Sequence, residues 1–330
     1  MSILVTGGAG YIGSHMVWAL VDAGEDVVVV DRLSTGFEWA VSPEAKLVQA
    51  DIADTDQMAS IMSSHGVEAI IHFAGSVVVP DSVSDPLGYY QNNTVNSLGL
   101  IKAAVDTGVA HFVFSSTAAV YGTPATDAPV TETTDLMPAS PYGVSKLMTE
   151  LMLRDTAAAH DFRYAALRYF NVAGADPRGR TGQSTRGATH LIKVANEAAL
   201  GKRGHIDVFG TDYPTRDGTC IRDYIHVTDL VAAHLKALTY LRAGGDSLVA
   251  NCGYGRGYSV LEVLDAVRRA HGEDFDIRMS GRRPGDAVSI VADATKAREI
   301  LGWTPEHDDL DEIVESALAW EAQLSRRNQV

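Results

Sequence analysis

A strand-like run, Ile3-Leu4-Val5-Thr6, passes directly into a glycine cluster, Gly7-Gly8-Ala9-Gly10-Tyr11-Ile12-Gly13, and then into a segment of helical character reaching about Ala23. A second apolar run, Val27-Val28-Val29-Val30, follows and ends on Asp31. Strand, glycine loop, helix, strand and acid in this order constrain the fold more than any other feature of the chain. The glycines fall as Gly8-x-Gly10-x-x-Gly13 and, in a second frame, Gly7-x-x-Gly10-x-x-Gly13. A tight turn needs a positive φ that glycine adopts cheaply. A pyrophosphate approaching the N–H groups of a helix start needs side chains out of its way. Asp31 stands 21 residues beyond Gly10, where a dinucleotide site wants a carboxylate for the ribose hydroxyls. It would serve otherwise as a turn or cap residue. In the nucleotide role it would repel a 2′-phosphate, so NAD is expected rather than NADP, a preference that Arg32 next door partly offsets.

The alternation continues. Ala45–Gln49, Ala69–Phe73, His111–Phe114 and Tyr164–Arg168 read as strands, and 92–107 and 141–160 as helices of 3.6-residue period. Strands alternating with helices build βαβ units. The expected fold is α/β, a doubly wound (Rossmann-type) parallel sheet, with a second, smaller α/β substrate domain. Residues 1–171 form the dinucleotide-binding part and 172–330 the substrate-binding part, with some later segments free to return to the first. Beyond the loop 174–182, helices are expected near 188–200, 228–243, 259–271, 294–301 and 310–324. Ligands of such sheets lie beyond the carboxyl ends of the strands, so the cleft is expected between the two parts.

Composition excludes several function classes. The chain has 330 residues, enough for about two domains. Its 27 Lys and Arg against 42 Asp and Glu leave a formal charge of −15, unsuited to nucleic acid or to an anionic membrane surface. An anionic substrate must then be caught by local arginines. No apolar run approaches a membrane span, and the N-terminus has no signal-peptide pattern. Cys220 and Cys252 are too few for a disulfide scaffold. A cytoplasmic setting is expected. The 11 histidines show no metal-ligand spacing, so no metal is expected. His72 reads as a strand-core histidine and His271 as a helix-end one.

Tyr142 and Lys146, in Pro141-Tyr142-Gly143-Val144-Ser145-Lys146, stand at i and i+4 and share a helix face. A phenol titrates near 10 in water, and a neighbouring ammonium favours the phenolate. Tyr142 is thereby a candidate general acid/base. Thr117, at the end of Ser115-Ser116-Thr117, offers a hydroxyl to the same substrate oxygen, or alternatively caps a helix.

With these residues in view, the chain resembles the extended short-chain dehydrogenase/reductases and, within them, the UDP-glucose (UDP-galactose) 4-epimerases, over essentially its whole length. The shared markers are Thr6 to His15, Ile71-His72-Phe73-Ala74-Gly75, Tyr89-Tyr90-Gln91-Asn92-Asn93, Tyr142-x-x-x-Lys146, Leu167-Arg168-Tyr169-Phe170-Asn171, Phe209 to Pro214, Asp217 to Val227, and Arg282-Arg283-Pro284-Gly285-Asp286. The resemblance implies NAD retained through turnover, a UDP-sugar substrate and a homodimer built from the helices at 92–107 and 141–160. It places Gly7, Gly10, Tyr11, Ile12, Gly13 and Asp31 on the cofactor, with Asp51 and Ile52 at the adenine. Phe73, Ala74, Gly75, Asn92, Ser115, Lys146, Tyr142 and Phe170 follow toward the nicotinamide. It makes Thr117, Tyr142 and Lys146 catalytic. It places Asn171, His190, Leu191, Phe209, Arg222, Arg283, Asp286 and Ile290, with Thr117 and Tyr142, on the UDP-sugar. Three departures stand out: Thr117 replaces the serine of many relatives, Val77 a lysine of some, and Ile290 a tyrosine of some. The smaller Ile290 is expected to open the pocket toward an N-acetylated sugar. A UDP-glucuronate or UDP-N-acetylhexosamine 4-epimerase remains an alternative, as does a non-catalytic NAD-binding regulator. A 4,6-dehydratase is disfavoured, because Ala118-Ala119 stand where such enzymes carry Asp-Glu.

Overall fold

The structure, a computed structural model, describes residues 1–327 apart from 125, 284 and 285. In chain order its strands are β1 (Ser2–Thr6), β2 (Asp26–Asp31), β3 (Lys46–Gln49), β4 (Val67–His72), β5 (His111–Ser115), β6 (Arg163–Tyr169), β7 (Asn171–Ala173), β8 (Ile206–Phe209), β9 (Ile221–His226), β10 (Leu248–Cys252), β11 (Gly257–Ser259), β12 (Ile277–Ser280) and β13 (Ser289–Ile290). Seven of them form one all-parallel sheet in the order β10-β6-β5-β4-β1-β2-β3. The chain winds outward from β1 to β3, then crosses back to β4 and proceeds the other way. The crevice at that reversal lies between the carboxyl ends of β1 and β4.

Alternation of side chains explains why these strands are apolar throughout. Ile3, Val5, Val27, Val29, Ile71 and Val113 enter one core, against the helices Tyr11–Asp22 and Val227–Arg242. Leu4, Val28, Val30, Ile70, Phe112 and Phe114 enter the other, against Thr55–His65 and Asn96–Thr107. The two valine pairs of β2 thus serve opposite faces. His72 is fully buried, as expected for a core position. It is bonded to Thr6 Oγ1 at 2.7 Å and Ser97 Oγ at 2.9 Å.

One feature differs from the sequence expectation, and a second answers a point that the sequence leaves open. The segment beginning near 92 is not one uniform helix: Tyr90–Val95 is a π-helical turn that leads into the α-helix Asn96–Thr107. Such turns insert a residue and commonly sit at functional sites. Here the turn brings Asn93 Oδ1 to 2.7 Å from the Ser76 N–H and Asn92 Nδ2 to 2.9 Å from Ser76 Oγ. Secondly, β10 comes from beyond residue 172 yet pairs with β6 and completes the large sheet. The helix Val227–Arg242 before it packs on the same sheet. The smaller sheet groups β7, β11 and β13 around β9, and β8 pairs with β12.

Candidate active site

The site begins with the glycine loop, whose glycines answer to different constraints. Gly7 has φ +71°, and a Cβ there would lie 2.7 Å from the Ala74 nitrogen, so the loop sits directly on the end of β4. A Cβ on Gly13 would stand 2.1 Å from the Gly7 carbonyl oxygen, so helix and loop touch backbone to backbone. Gly10 is different. Its φ is −78°, and a Cβ would meet only the Gly7 carbonyl oxygen, at 3.3 Å. Among the described residues no other atom comes within 4 Å of such a Cβ, and as N-cap Gly10 offers no side chain to the N–H groups of the helix. Such a bare helix start is a ready anion cradle. Asp31, closing β2, accepts from the Ala9 N–H at 3.0 Å and the Leu33 N–H at 2.8 Å. Asp51 stands 3.6 Å from Arg32, and Ile52 beside it is buried. Phe73, Ala74 and Gly75 follow β4 directly, and a Cβ on Gly75 would meet Asn93 Oδ1 at 3.0 Å.

The second component is a seam between the end of β5 and the helix Pro141–Ala159. Ser140 caps this helix by accepting from the Gly143 N–H, and Pro141 opens it. Tyr142, Lys146 and Glu150 fall on one face at i, i+4 and i+8, and all are buried. They meet three consecutive residues. Lys146 Nζ donates to the Ser115 carbonyl at 3.0 Å. Ser116 Oγ donates to Glu150. Thr117, the third, supplies the hydroxyl that opposes the rise of the Tyr142 phenol. Thr117 Oγ1 also accepts from the Ala119 N–H at 3.1 Å, so it caps the short turn as well. Burial pushes the Tyr142 phenol well above its ordinary value, with Tyr169 and Tyr89 adding to the rise and Thr117 opposing it. Burial lowers the Lys146 ammonium to about 8, against the upward pull of Glu150. His72 is pushed down to about 3, first by burial and then by Lys146, and is neutral.

The remaining candidates form two groups. Tyr11, Asn171, His190 and Leu191 line one cleft with about 470 Å³ of empty space. Phe209, Arg222, Arg283, Asp286 and Ile290 gather at β8 and β9. Asp286 accepts from Arg283 Nε at 3.0 Å and lies 3.9 Å from Arg222 Nη2. The Arg283 guanidinium lies over the Phe209 ring, 4.6 Å from its centroid. Ile290 pairs with Arg222 in the β13–β9 register and packs with Phe170, Tyr121 and Ala118. Pro284 and Gly285 lie outside the described residues. Asn93 and Ser76, which anchor the π turn, and Glu150 were missed by sequence reading. The Lys146-to-Glu150 spacing of four was the available signal for the last.

Each candidate from Gly7 to Asn171 follows the carboxyl end of a strand of the large sheet or lies on a helix packed against it. A crevice at the winding reversal, a glycine loop and a buried tyrosine–lysine pair define a nucleotide-dependent enzyme of the extended short-chain dehydrogenase/reductase type. The chain belongs to the NAD dependent epimerase/dehydratase family, whose model matches residues 3–253. It is 56% identical to the UDP-glucose 4-epimerase of Azospirillum brasilense over 98% of this chain and 93% of that one. A crystal structure of a UDP-glucose 4-epimerase superposes with a TM-score of 0.95 at 45% identity, covering 99% of both chains. The UDP-glucose 4-epimerase of Bifidobacterium longum, in complex with NAD+ and UDP, gives 0.92 at 37% identity over the full length of both.

Proposed function

We propose that this chain is a UDP-glucose 4-epimerase that interconverts UDP-galactose and UDP-glucose through a 4-keto intermediate while holding NAD tightly. The observation that carries the proposal is the seam at β5: a buried phenol facing Thr117, a lysine one turn on, and Ala118-Ala119 where a dehydratase needs an acid and base. The residues present fit NAD. The space before Gly10 would be filled by a Cβ, the helix start has no side-chain cap, and Asp31 stands at the end of β2 as the ribose acceptor. Gly7, Tyr11, Ile12 and Gly13 would carry the pyrophosphate end, and Asp51 and Ile52 the adenine. Phe73, Ala74, Gly75, Asn92, Ser115, Lys146 and Phe170 would hold the rest.

C4 of a hexose is not acidic, so proton removal cannot invert it. Oxidation to a ketone erases the stereocentre, and reduction from the other face inverts it. NAD, when bound, supplies the hydride acceptor and later the donor. Tyr142 removes the 4-hydroxyl proton and later returns it. Thr117 orients the same oxygen, and the Lys146 ammonium favours the phenolate that burial disfavours. The keto sugar must present both faces, so anchoring belongs on UDP. Arg222 and Arg283 suit a diphosphate. Asn171, His190, Leu191, Phe209 and Asp286 would complete the nucleotide grip, with Ile290 in the wall of the sugar site.

A homodimer is supported by exposed apolar residues on adjoining helices, Leu98 on Asn96–Thr107 with Met148 and Leu151 on Pro141–Ala159. Among the described residues no helix is long and apolar enough to cross a membrane; together with two unpaired cysteines, this fits the cytoplasmic setting we propose. Purified protein given UDP-galactose without added NAD should form UDP-glucose, resolved by NMR. Tyr142→Phe should lower kcat about a hundredfold or more. Retention of more than a few per cent of kcat would refute Tyr142 as the base.

A further inference from the structure

Glu150 is a carboxylate one helical turn beyond Lys146, buried on the same face. At this spacing a glutamate and a lysine ordinarily pair, and in a dry interior such a pair is strong. Lys146 nevertheless donates to the Ser115 carbonyl, with the Phe114 ring 4.9 Å from its Nζ. Glu150 is taken by other residues, by the Ser116 hydroxyl and above all by an arginine. Arg168, on β6, donates from Nε to one carboxylate oxygen at 3.0 Å and from Nη2 to the other at 2.6 Å. Both side chains are at most 5% exposed.

The arginine is itself fixed from behind. Its Nη1 donates to the Tyr121 hydroxyl at 3.0 Å, that hydroxyl donates to Asn251 Oδ1 at 2.7 Å, and Asn251 Nδ2 donates to the Val130 carbonyl at 2.8 Å. The chain of bonds thus crosses from the helix through β6 to β10. A buried, fully bonded ion pair is weak evidence of added stability, so its place beside the lysine invites another explanation.

We propose that Arg168 is a positioning residue for the Tyr142–Lys146 pair: by occupying both oxygens of Glu150 it keeps that carboxylate from capturing the Lys146 ammonium. It rests on the reading that Tyr142 and Lys146 carry the proton chemistry. With Glu150 masked, the positive charge of Lys146 is expressed at the phenol and at whatever binds before it. With Glu150 unmasked, the ammonium turns toward it, leaves Ser115, and its field at the phenol is cancelled. The titratable or charged groups near this amine are Tyr142 and Glu150 on its own helix, His72 on β4, Arg168 and Tyr169 on β6, and Tyr89 across the phenol. His72 is neutral, and the tyrosines are raised by burial. Arg168 and Glu150 are therefore the charges that set the balance.

The test is an NMR titration of the lysine Cε signals in NAD-loaded protein, with Lys146 assigned by its loss in Lys146→Met. A pH–rate profile of UDP-galactose turnover runs alongside. Arg168→Met should raise the Lys146 midpoint by about one pH unit or more and move the acidic limb of the profile upward, a tenfold loss at a fixed low pH. Glu150→Gln should lower the midpoint, because Arg168 is then uncompensated. The double variant Glu150→Gln/Arg168→Met, with neither charge, should bring both readouts back to the native positions. If Arg168→Met does not fold, the opposite shift in Glu150→Gln and its reversal in the double variant decide. A purely structural ion pair would change the melting temperature and leave every midpoint native, and that result would overturn the proposal. Loss of turnover in Tyr142→Phe with unmoved Lys146 midpoints would leave the base in place and sink the masking alone.

Discussion

The two halves of the site that we propose for phosphate are built in opposite ways. On the side of the large sheet the means is backbone: a Cβ on Gly7 would fall inside the backbone just beyond β4, and one on Gly13 inside the backbone of the loop itself. On the side of the small sheet the means is side chain: Arg222 and Arg283 converge on Asp286, and Phe209 lies under one of them. Backbone contacts are pre-formed by sterics and change little when a ligand arrives. The arginines are held instead by other side chains, the Asp286 carboxylate and the Phe209 ring, which can rearrange with them. A cofactor retained through turnover suits the first arrangement, and a substrate that must leave suits the second.

The largest effect should come from the glycine side. Gly13→Ala puts a Cβ against a carbonyl oxygen that cannot give way, and should cost the loop its shape. Soluble yield, or NAD content by absorbance after purification, should collapse. Gly10→Ala sharpens the contrast. Its φ of −78° is ordinary for alanine, and among the described residues a Cβ would meet only the Gly7 carbonyl oxygen within 4 Å, at 3.3 Å, so the melting temperature of NAD-free protein should stay native while NAD retention falls. Equal destabilisation by both changes would break the distinction between glycines needed by the fold and a glycine needed by the ligand. A smaller effect is expected across the cleft. Arg222→Met removes charge-assisted bonds of about 1.5–3 kcal/mol, so KM for the UDP-sugar should rise about 10- to 150-fold with kcat little changed. A fall in kcat at native KM would show that this arginine acts on the reacting sugar.

The glycines were legible in the sequence because their chemistry is local, whereas Arg222 and Arg283 came only from the resemblance to the 4-epimerases. A turn that needs positive φ, and an N–H cradle, leave glycine at fixed offsets. The strands of the large sheet were legible because β-branched runs such as Val27–Val30 fit only a strand covered on both faces. The π turn at Tyr90–Val95 was not, since its residues differ little from those of an α-helix and the bonds that go with it join Asn93 to Ser76, 17 residues away. The return of β10 to the large sheet was left open, because a short apolar run does not say which neighbour it pairs with. The Glu150–Arg168 pair joins residues 18 apart across a helix and a strand, and no periodicity records that. Contacts set by chain-distant packing are what a single sequence hides.

The smallest expected effect concerns the ring beneath Arg283. A guanidinium over an aromatic face contributes about 0.5–1 kcal/mol at a partly exposed site, and Arg283 is half exposed with its ring contact at 4.6 Å. Phe209→Leu keeps an apolar surface and removes the quadrupole, so KM should rise only about two- to fivefold. The Asp286 pairing remains in that variant and still holds the guanidinium. Removing Asp286 as well takes away both supports, so Phe209→Leu/Asp286→Ala should raise KM by more than the product of the two single changes. Strict additivity in that cycle would mean that ring and carboxylate act on Arg283 independently, and that the arginine side of the site is as rigidly pre-formed as the glycine side.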